Sequence, residues 1–186
     1  MRILETERLL LKPVEEADLV SLLDLQWDKD VVQHMRFTPL SMDNQSSWLR
    51  TLGKDRLAFT VFQKTEGKLE LIGLATLNNI DSINQRASWG MKLKSYLLGK
   101  GIGYEASLMI IHYAFHFLNL IKIHADYIDD NKASEGLVNK IGLRKEGLLV
   151  KHLFHRGRFH DLNLVGILKE EFYAKNGDRL ASLGLM

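Results

Sequence analysis

Leu98-Gly99-Lys100-Gly101-Ile102-Gly103 is the stretch on which the reading of this chain turns. It stands between a strand ending near Leu93 and a long helix opening near Gly103. Three glycines in five positions let the backbone bend so that successive N–H groups face one anion at the positive end of a helix. Such a turn suits a pyrophosphate. A tight strand-to-helix connection without a ligand uses the same glycines, so the surroundings decide.

Downstream of the turn, Ala106, Met109, Ile110, Tyr113, Ala114 and Phe117 recur at intervals of three and four, and Leu108, Ile111 and Phe115 make the opposite side apolar. This predicts a helix covered on more than one face. Ile121 to Ile128 reads as a buried strand, Asn131 to Ile141 as a helix, and Gly142 as its left-handed cap. Leu148 to His155, a turn at Arg156-Gly157, and Phe159 to Leu168 make a hairpin. The tail from Lys169 is expected as a short, fraying helix.

Upstream, the segment from Leu57 to Leu93 changes period and reads as three antiparallel strands, with turns at Gly67 and near Asn84. Before it, Arg8 to Val14 reads as a strand closed by Pro13. Glu15, Glu16 and Asp18 are first-turn signals for a helix through Trp27. Ser41, followed by Asn44 and Gln45, starts a second helix that Gly53 stops.

The chain has 186 residues, 46% of them hydrophobic, which suits one domain with a real core over residues 1–186. Cysteine is absent, so thiol catalysis, disulfides and thiolate-held zinc are excluded, and a reducing cytoplasm is the expected location. No segment approaches the roughly 18 uncharged apolar residues of a membrane span. With a net charge of +2 and basic residues scattered along the chain, no nucleic-acid stripe is indicated.

Gly101-Ile102-Gly103-Tyr104-Glu105-Ala106 also satisfies the G-x-G-x-x-A dinucleotide fingerprint, and Asp126 lies where a ribose-binding acid would follow. That fold needs repeated parallel strand–helix units. Here an antiparallel meander precedes the turn and one such unit follows it, so the architecture argues against a dinucleotide enzyme.

Leu98 to Gly103 resembles the acetyl-coenzyme A signature Q/R-x-x-G-x-G/A of the GNAT superfamily of N-acetyltransferases, with Leu98 on the Gln/Arg position. The resemblance runs along nearly the whole chain. Glu7 to Leu11 with Pro13 resembles the family's opening strand, and Arg86-Ala87-Ser88-Trp89-Gly90 its fourth strand. Asn131 to Ser134, Lys140 to Leu143 and Glu146-Gly147-Leu148 resemble the elements after the coenzyme turn. Arg156-Gly157-Arg158 and Asp161 resemble the final hairpin of the RimJ/RimL branch.

The resemblance implies an α+β fold with a mixed, mostly antiparallel seven-stranded sheet, about four main helices, and a splay between the fourth and fifth strands. It implies acetyl-CoA as co-substrate, without a metal, and a possible homodimer. Met91, Lys92 and Leu93 would run along the pantetheine arm. Leu98, Gly99, Lys100, Gly101, Ile102, Gly103 and Tyr104 would surround the pyrophosphate, and Asn131 would meet the arm's amides. A linear amide-bearing ligand that completes an open strand edge, with its phosphates on a helix N-terminus, is physically coherent.

Direct attack of an amine on the thioester needs a proton acceptor, an oxyanion donor and a proton for the leaving thiolate. At the family's tyrosine position this chain has Val138. By the same resemblance Ser134 stands near the sulfur, where first-turn capping is its competing role. At the family's glutamate position stands Ser88. His152 and His155, on the final hairpin, titrate in the useful range and are the candidate bases, with solvated or interface roles as the competing reading. Asp161 orients one of them or fixes the hairpin.

His112 and His116 are spaced as zinc ligands on a helix, but Tyr113 stands where a zinc protease needs glutamate, so they read as ordinary helix residues. Trp27 and Phe37, with Ser88, are the expected acceptor-side residues, and Asp28, Asp30 and Asp43 offer charge for a cationic amine. The acceptor is a primary amine: a protein α-amine by the RimJ/RimL resemblance, or a small molecule such as an amino sugar nucleotide or polyamine. A coenzyme-binding regulator without catalysis is the rival in another class.

Overall fold

Four strands lie between Leu9 and Leu93, and the last two connections among them are tight turns with their own turn chemistry. A computed structural model describes residues 4–33 and 40–186. β1 (Leu9–Pro13), β2 (Leu57–Thr65), β3 (Lys68–Asp81) and β4 (Arg86–Leu93) pair antiparallel in that order. Between β2 and β3, Glu66 and Gly67 have φ of 47° and 77°, the pair of left-handed residues that a two-residue hairpin requires. Between β3 and β4, Asp81 Oδ1 accepts hydrogen bonds from the N–H of Ile83 and of Asn84, and Gln85 takes the positive φ.

β5 (Lys122–Ile128) joins the sheet parallel to β4, and β7 (Arg158–Leu168) and β6 (Arg144–His155) follow it antiparallel, giving the order β1-β2-β3-β4-β5-β7-β6. The β6–β7 turn again uses two left-handed residues, Arg156 and Gly157. β6 begins at Arg144, earlier than the apolar run at Leu148 suggests, because Arg144 and Lys145 already pair with Gly166 and Val165.

Helices cover both faces. On one face lie α4 (Ile102–His116), α5 (Lys132–Ile141) and α6 (Lys169–Ser182), which share the main core with Ile72, Leu77, Trp89, Ile123 and Val165. As its two-sided pattern predicts, α4 buries eleven of its residues. On the other face, α1 (Leu19–Trp27) packs Leu19 and Leu22 with Val14, Ala58 and Leu74, against Trp48 and Leu49 of α3 (Met42–Arg50).

The expectation of four main helices becomes six among the described residues. One addition is α2 (Lys29–Val32), a single turn capped by the Asp28 carboxylate, which accepts from Asp30 and Val31. Ser41 caps α3 with Asn44 as its reciprocal partner, as expected. Thr51, not Gly53, ends that helix; Gly53 instead pairs its backbone with Arg56.

The tail does not fray. α6 turns Phe172, Asn176 and Leu180 inward at intervals of four, and all three are inaccessible to solvent. Asn176 is a polar hub there. Its Nδ2 donates to the carbonyls of Ile141 and Phe172, and its Oδ1 accepts from the Tyr104 hydroxyl.

Candidate active site: a gap between parallel strands

β4 and β5 pair only at Arg86–Lys122, Ala87–Ile123 and Ser88–His124. Beyond that last pair both strands continue, to Leu93 and Ile128, but with no ladder between them. The expected splay is therefore present. Among the described residues it leaves unpaired backbone edges on both strands, the kind of edge that an extended ligand completes.

A cavity of about 430 Å³ occupies the gap. Trp89, Met91 and Leu93 line it from the α4 side of β4, and Gly90 and Lys92 from the α1 side. Successive side chains of a strand point to opposite faces, so the cavity is built from both faces of the sheet. Asn131, Ser134, Leu137 and Val138 close it along α5, while Asp30, Val31 and Gln33 approach from α2. Leu98 marks the end nearest the glycine turn.

At that turn Gly99 and Gly101 have φ of 76° and 77°, and a Cβ at either would meet nothing within 4 Å. These positions need glycine for backbone conformation, and they leave open space above the turn. Glu105 N–H donates to the carbonyl of Gly101, which begins the α4 ladder. The N–H groups of Ile102, Gly103 and Tyr104 therefore precede it, and among the described residues no side chain caps them.

Gly103 serves packing instead. A Cβ there would lie 3.2 Å from Leu93 Cδ1, so its small size lets α4 approach β4. The side chains of Ile102 and Tyr104 face inward. Ile102 is in the core, and Tyr104 binds Asn176 beneath the Lys140 ammonium. Only their backbone is left for an anion.

Lys100 sits 5.8 Å from the Tyr96 ring. Glu105, in the first turn of α4, would oppose an anion, but its buried carboxylate is matched by the Arg8 guanidinium and the Thr6 hydroxyl, with Arg179 at 3.8 Å.

Asn131 caps α5, its Oδ1 accepting from the Ser134 N–H at 3.0 Å. The first-turn cap is thus Asn131 and not the Ser134 hydroxyl, and the half-buried Ser134 lines the cavity. Lys92 Nζ donates to Gln26 Oε1 of α1 at 3.1 Å, and burial holds its ammonium pKa down to about 8.

Other residues singled out from the sequence lie off the cavity lining. Ser88 is at the vertex of the splay. Trp27 is 55% exposed at the end of α1. His152 is exposed within an irregularity of β6, where the register jumps from Leu149–Leu162 to Leu153–His160. Asp161 holds that irregularity by accepting from the Lys151 N–H at 2.7 Å.

His155 is buried, with Nε2 2.8 Å from the Gln33 carbonyl, and so ties the outer hairpin to the end of α2. Phe37 lies outside the described residues. Asp28 is engaged as a helix cap, whereas Asp30 reaches the cavity. The zinc-like pair His112 and His116 stack their rings at 5.2 Å, and His112 Nδ1 is 3.0 Å from the Tyr173 hydroxyl.

Sequence reasoning did not assign His160 or, for acyl transfer, Asp126. His160 is buried with Nδ1 2.9 Å from Asp129 Oδ1, and its Nε2 accepts from Arg158 Nε. Arg158 also binds Asp130, so this acidic group already holds a guanidinium as its cation. Asp126 lines the cavity.

This geometry matches known proteins. The acetyltransferase (GNAT) domain family model matches residues 8–144, and the chain belongs to that family as a GNAT N-acetyltransferase. It is 33% identical to the uncharacterized N-acetyltransferase p20 of Bacillus licheniformis over 92% of this chain and 99% of that one. It is 26% identical to the ribosomal protein uS5-alanine N-acetyltransferase of Escherichia coli, over 85% of this chain and 86% of that one. Among solved structures, the spermidine N-acetyltransferase of Vibrio cholerae in complex with CoA and spermine superposes with a TM-score of 0.81 at 25% identity. That match covers 88% of this chain and 97% of the other. Among the described residues no helix is long and apolar enough to cross a membrane.

Proposed function

We propose that the protein transfers the acetyl group of acetyl-CoA to a primary amine by direct attack, and that the acceptor is a protein α-amine. The parting of β4 and β5 beyond Ser88 and His124 carries this reading, because it leaves a gap lined from both faces of the sheet. A coenzyme arm paired to the edge at Met91, Lys92 and Leu93 enters from one face, and an amine reaches the thioester from the other. The pyrophosphate sits on the N–H groups at Gly99 to Tyr104, with Asn131 beside the arm. Ser134 meets the departing sulfur and Val138 offers it only apolar contact.

The α-amine acceptor rests on the RimJ/RimL resemblance and on the similarity to the uS5-alanine enzyme. A polyamine is the second reading. It is favoured by the carboxylates of Asp30 and Asp126 in the cavity and by the likeness to the spermidine enzyme. A single domain over residues 1–186, a cytoplasmic location and a homodimer complete the proposal.

The test is thiol release from acetyl-CoA with two acceptors, a peptide beginning with alanine and spermidine. Faster turnover of the peptide supports the first reading, and faster turnover of spermidine the second. Tight coenzyme A binding with no thiol release from either, or from a wider amine panel, makes the protein a regulator. Ser134→Ala is expected to lower turnover more than it weakens coenzyme binding; equal rates remove Ser134 from the mechanism.

A further inference from the structure

Acetyl transfer needs a proton acceptor that the residues named so far do not supply. The acceptor arrives as an ammonium and has to lose a proton before its lone pair can attack. Ser88 stands where the resemblance places a glutamate, and neither His152 nor His155 lines the cavity.

The side-chain parity of the two strands identifies what does face the acceptor. On β4, Ala87 and Trp89 belong to the α4-side core, with Met91 and Leu93 packed against it, while Lys92 reaches α1 through Gln26. Ser88, Gly90 and Lys92 therefore face α1 and α2. On β5, Ile123 and Ala125 belong to that same core, which turns His124, Asp126 and Ile128 to the α1 and α2 face.

The last paired residues on this face are Ser88 and His124. Two residues further along, where the strands have parted, come Gly90 on β4 and Asp126 on β5, and both line the cavity. Gly90 carries no side chain, and a Cβ there would lie 2.8 Å from Thr76 Oγ1, so the Thr76 hydroxyl of β3 reaches the cavity beside it. On β5, Asp126 brings the first carboxylate past the vertex. By its sequence position alone it reads only as a ribose-binding acid.

We propose that Asp126 receives the proton of the amine that attacks the thioester. This rests on the acetyl-transfer reading and supplies its missing base. The ammonium donates a hydrogen bond to the carboxylate and passes one proton to it, and thence to water. The freed lone pair forms the C–N bond at the acetyl carbonyl. The C–S bond breaks, a second proton leaves the nitrogen and ends on the departing thiolate, and the products are the N-acetylated amine and coenzyme A. Part of its effect lies in holding the ammonium at the gap, in line for attack.

Among the described residues, the other charged and titratable groups around it are Lys92 on β4, Asp30 on α2, and His124 at the vertex. Arg86, Lys122 and Glu146 surround that histidine. Asp126 is exposed, so replacing it leaves the core intact.

The experiment uses the full chain with acetyl-CoA, the alanine peptide and spermidine. Asp126→Asn is expected to lower kcat about 100-fold or more, with coenzyme A affinity by calorimetry unchanged. Its residual rate should keep rising with pH through about 9 instead of levelling, as hydroxide replaces the lost base. Asp126→Glu should recover a substantial part of the rate. The proposal is overturned if Asp126→Asn keeps kcat within about threefold of the parent. It is equally overturned if the loss lies only in KM for the amine with an unaltered pH profile, or is matched by lost coenzyme affinity. A parent protein that binds coenzyme A and acetylates no amine overturns the acetyl-transfer reading itself, a result distinct from an active Asp126→Asn.

Discussion

At Gly101 the backbone lies at φ 77° with open space where a Cβ would project, whereas at Gly103 the Cβ position is pressed against Leu93. One motif thus contains two physical requirements. Gly101→Val forces a β-branched residue into the left-handed region, at about 1–3 kcal/mol of backbone strain, and places its branches where the anion approaches. Its coenzyme A dissociation constant is expected to rise about tenfold or more by calorimetry. Gly103→Val pushes α4 from β4 through Leu93, so it should lower the thermal midpoint as well as the affinity. Unchanged affinity in both variants would remove the turn from the coenzyme site. The motif names both glycines alike; the difference between them depends on Leu93, earlier in the chain, and is not legible in the glycine pattern.

α6 is the element that sequence reasoning underestimated. Phe172, Asn176 and Leu180 recur at helical spacing, but an asparagine in mid-stripe and Gly177 beside it weaken the apolar pattern. The asparagine is buried because three partners on α4, α5 and α6 satisfy it, and none of them is visible from the sequence near it. Through Tyr104 this helix braces the first turn of α4, and so the glycine turn. Phe172→Ala is expected to cost about 3–5 kcal/mol in urea unfolding, because its ring is fully buried against Phe115. A cost below about 1 kcal/mol would mean that α6 is peripheral after all. The opposite case is α2, a single turn, too short for any periodicity to announce it.

For the whole molecule, pH is the accessible lever. The pKa of His112 is pulled below its ordinary value of 6.5 chiefly by burial, then by the neighbouring His116, with a hydrogen bond to the Leu185 backbone acting the other way. Burial also leads the causes that lower His124. Each is therefore more readily protonated when unfolded, and the stability this contributes is complete above about pH 6.5 and declines as pH falls through that value. Urea midpoints should drop between about pH 6.5 and 5.5. A flat profile over that window would contradict the burial of both rings.

The sequence by itself determined the order of the strands and of the longer helices, the hairpin turns at Gly67 and Arg156-Gly157, and the glycine turn before α4. Each of these is written in local periodicity or in the backbone freedom of one or two residues. The family resemblance added the splay and the strand edge along which a coenzyme arm would lie. Only the tertiary structure decided which side chains share the cavity, because β4 and β5 are separated by the whole of α4 and their parting depends on packing at both faces. That packing gave Asp126 a place in the gap opposite Gly90, put Asn131 in the capping role at α5, and committed His155 to the Gln33 carbonyl. A carboxylate on an alternating strand carries no sign of its neighbour across a gap until the two strands are in register.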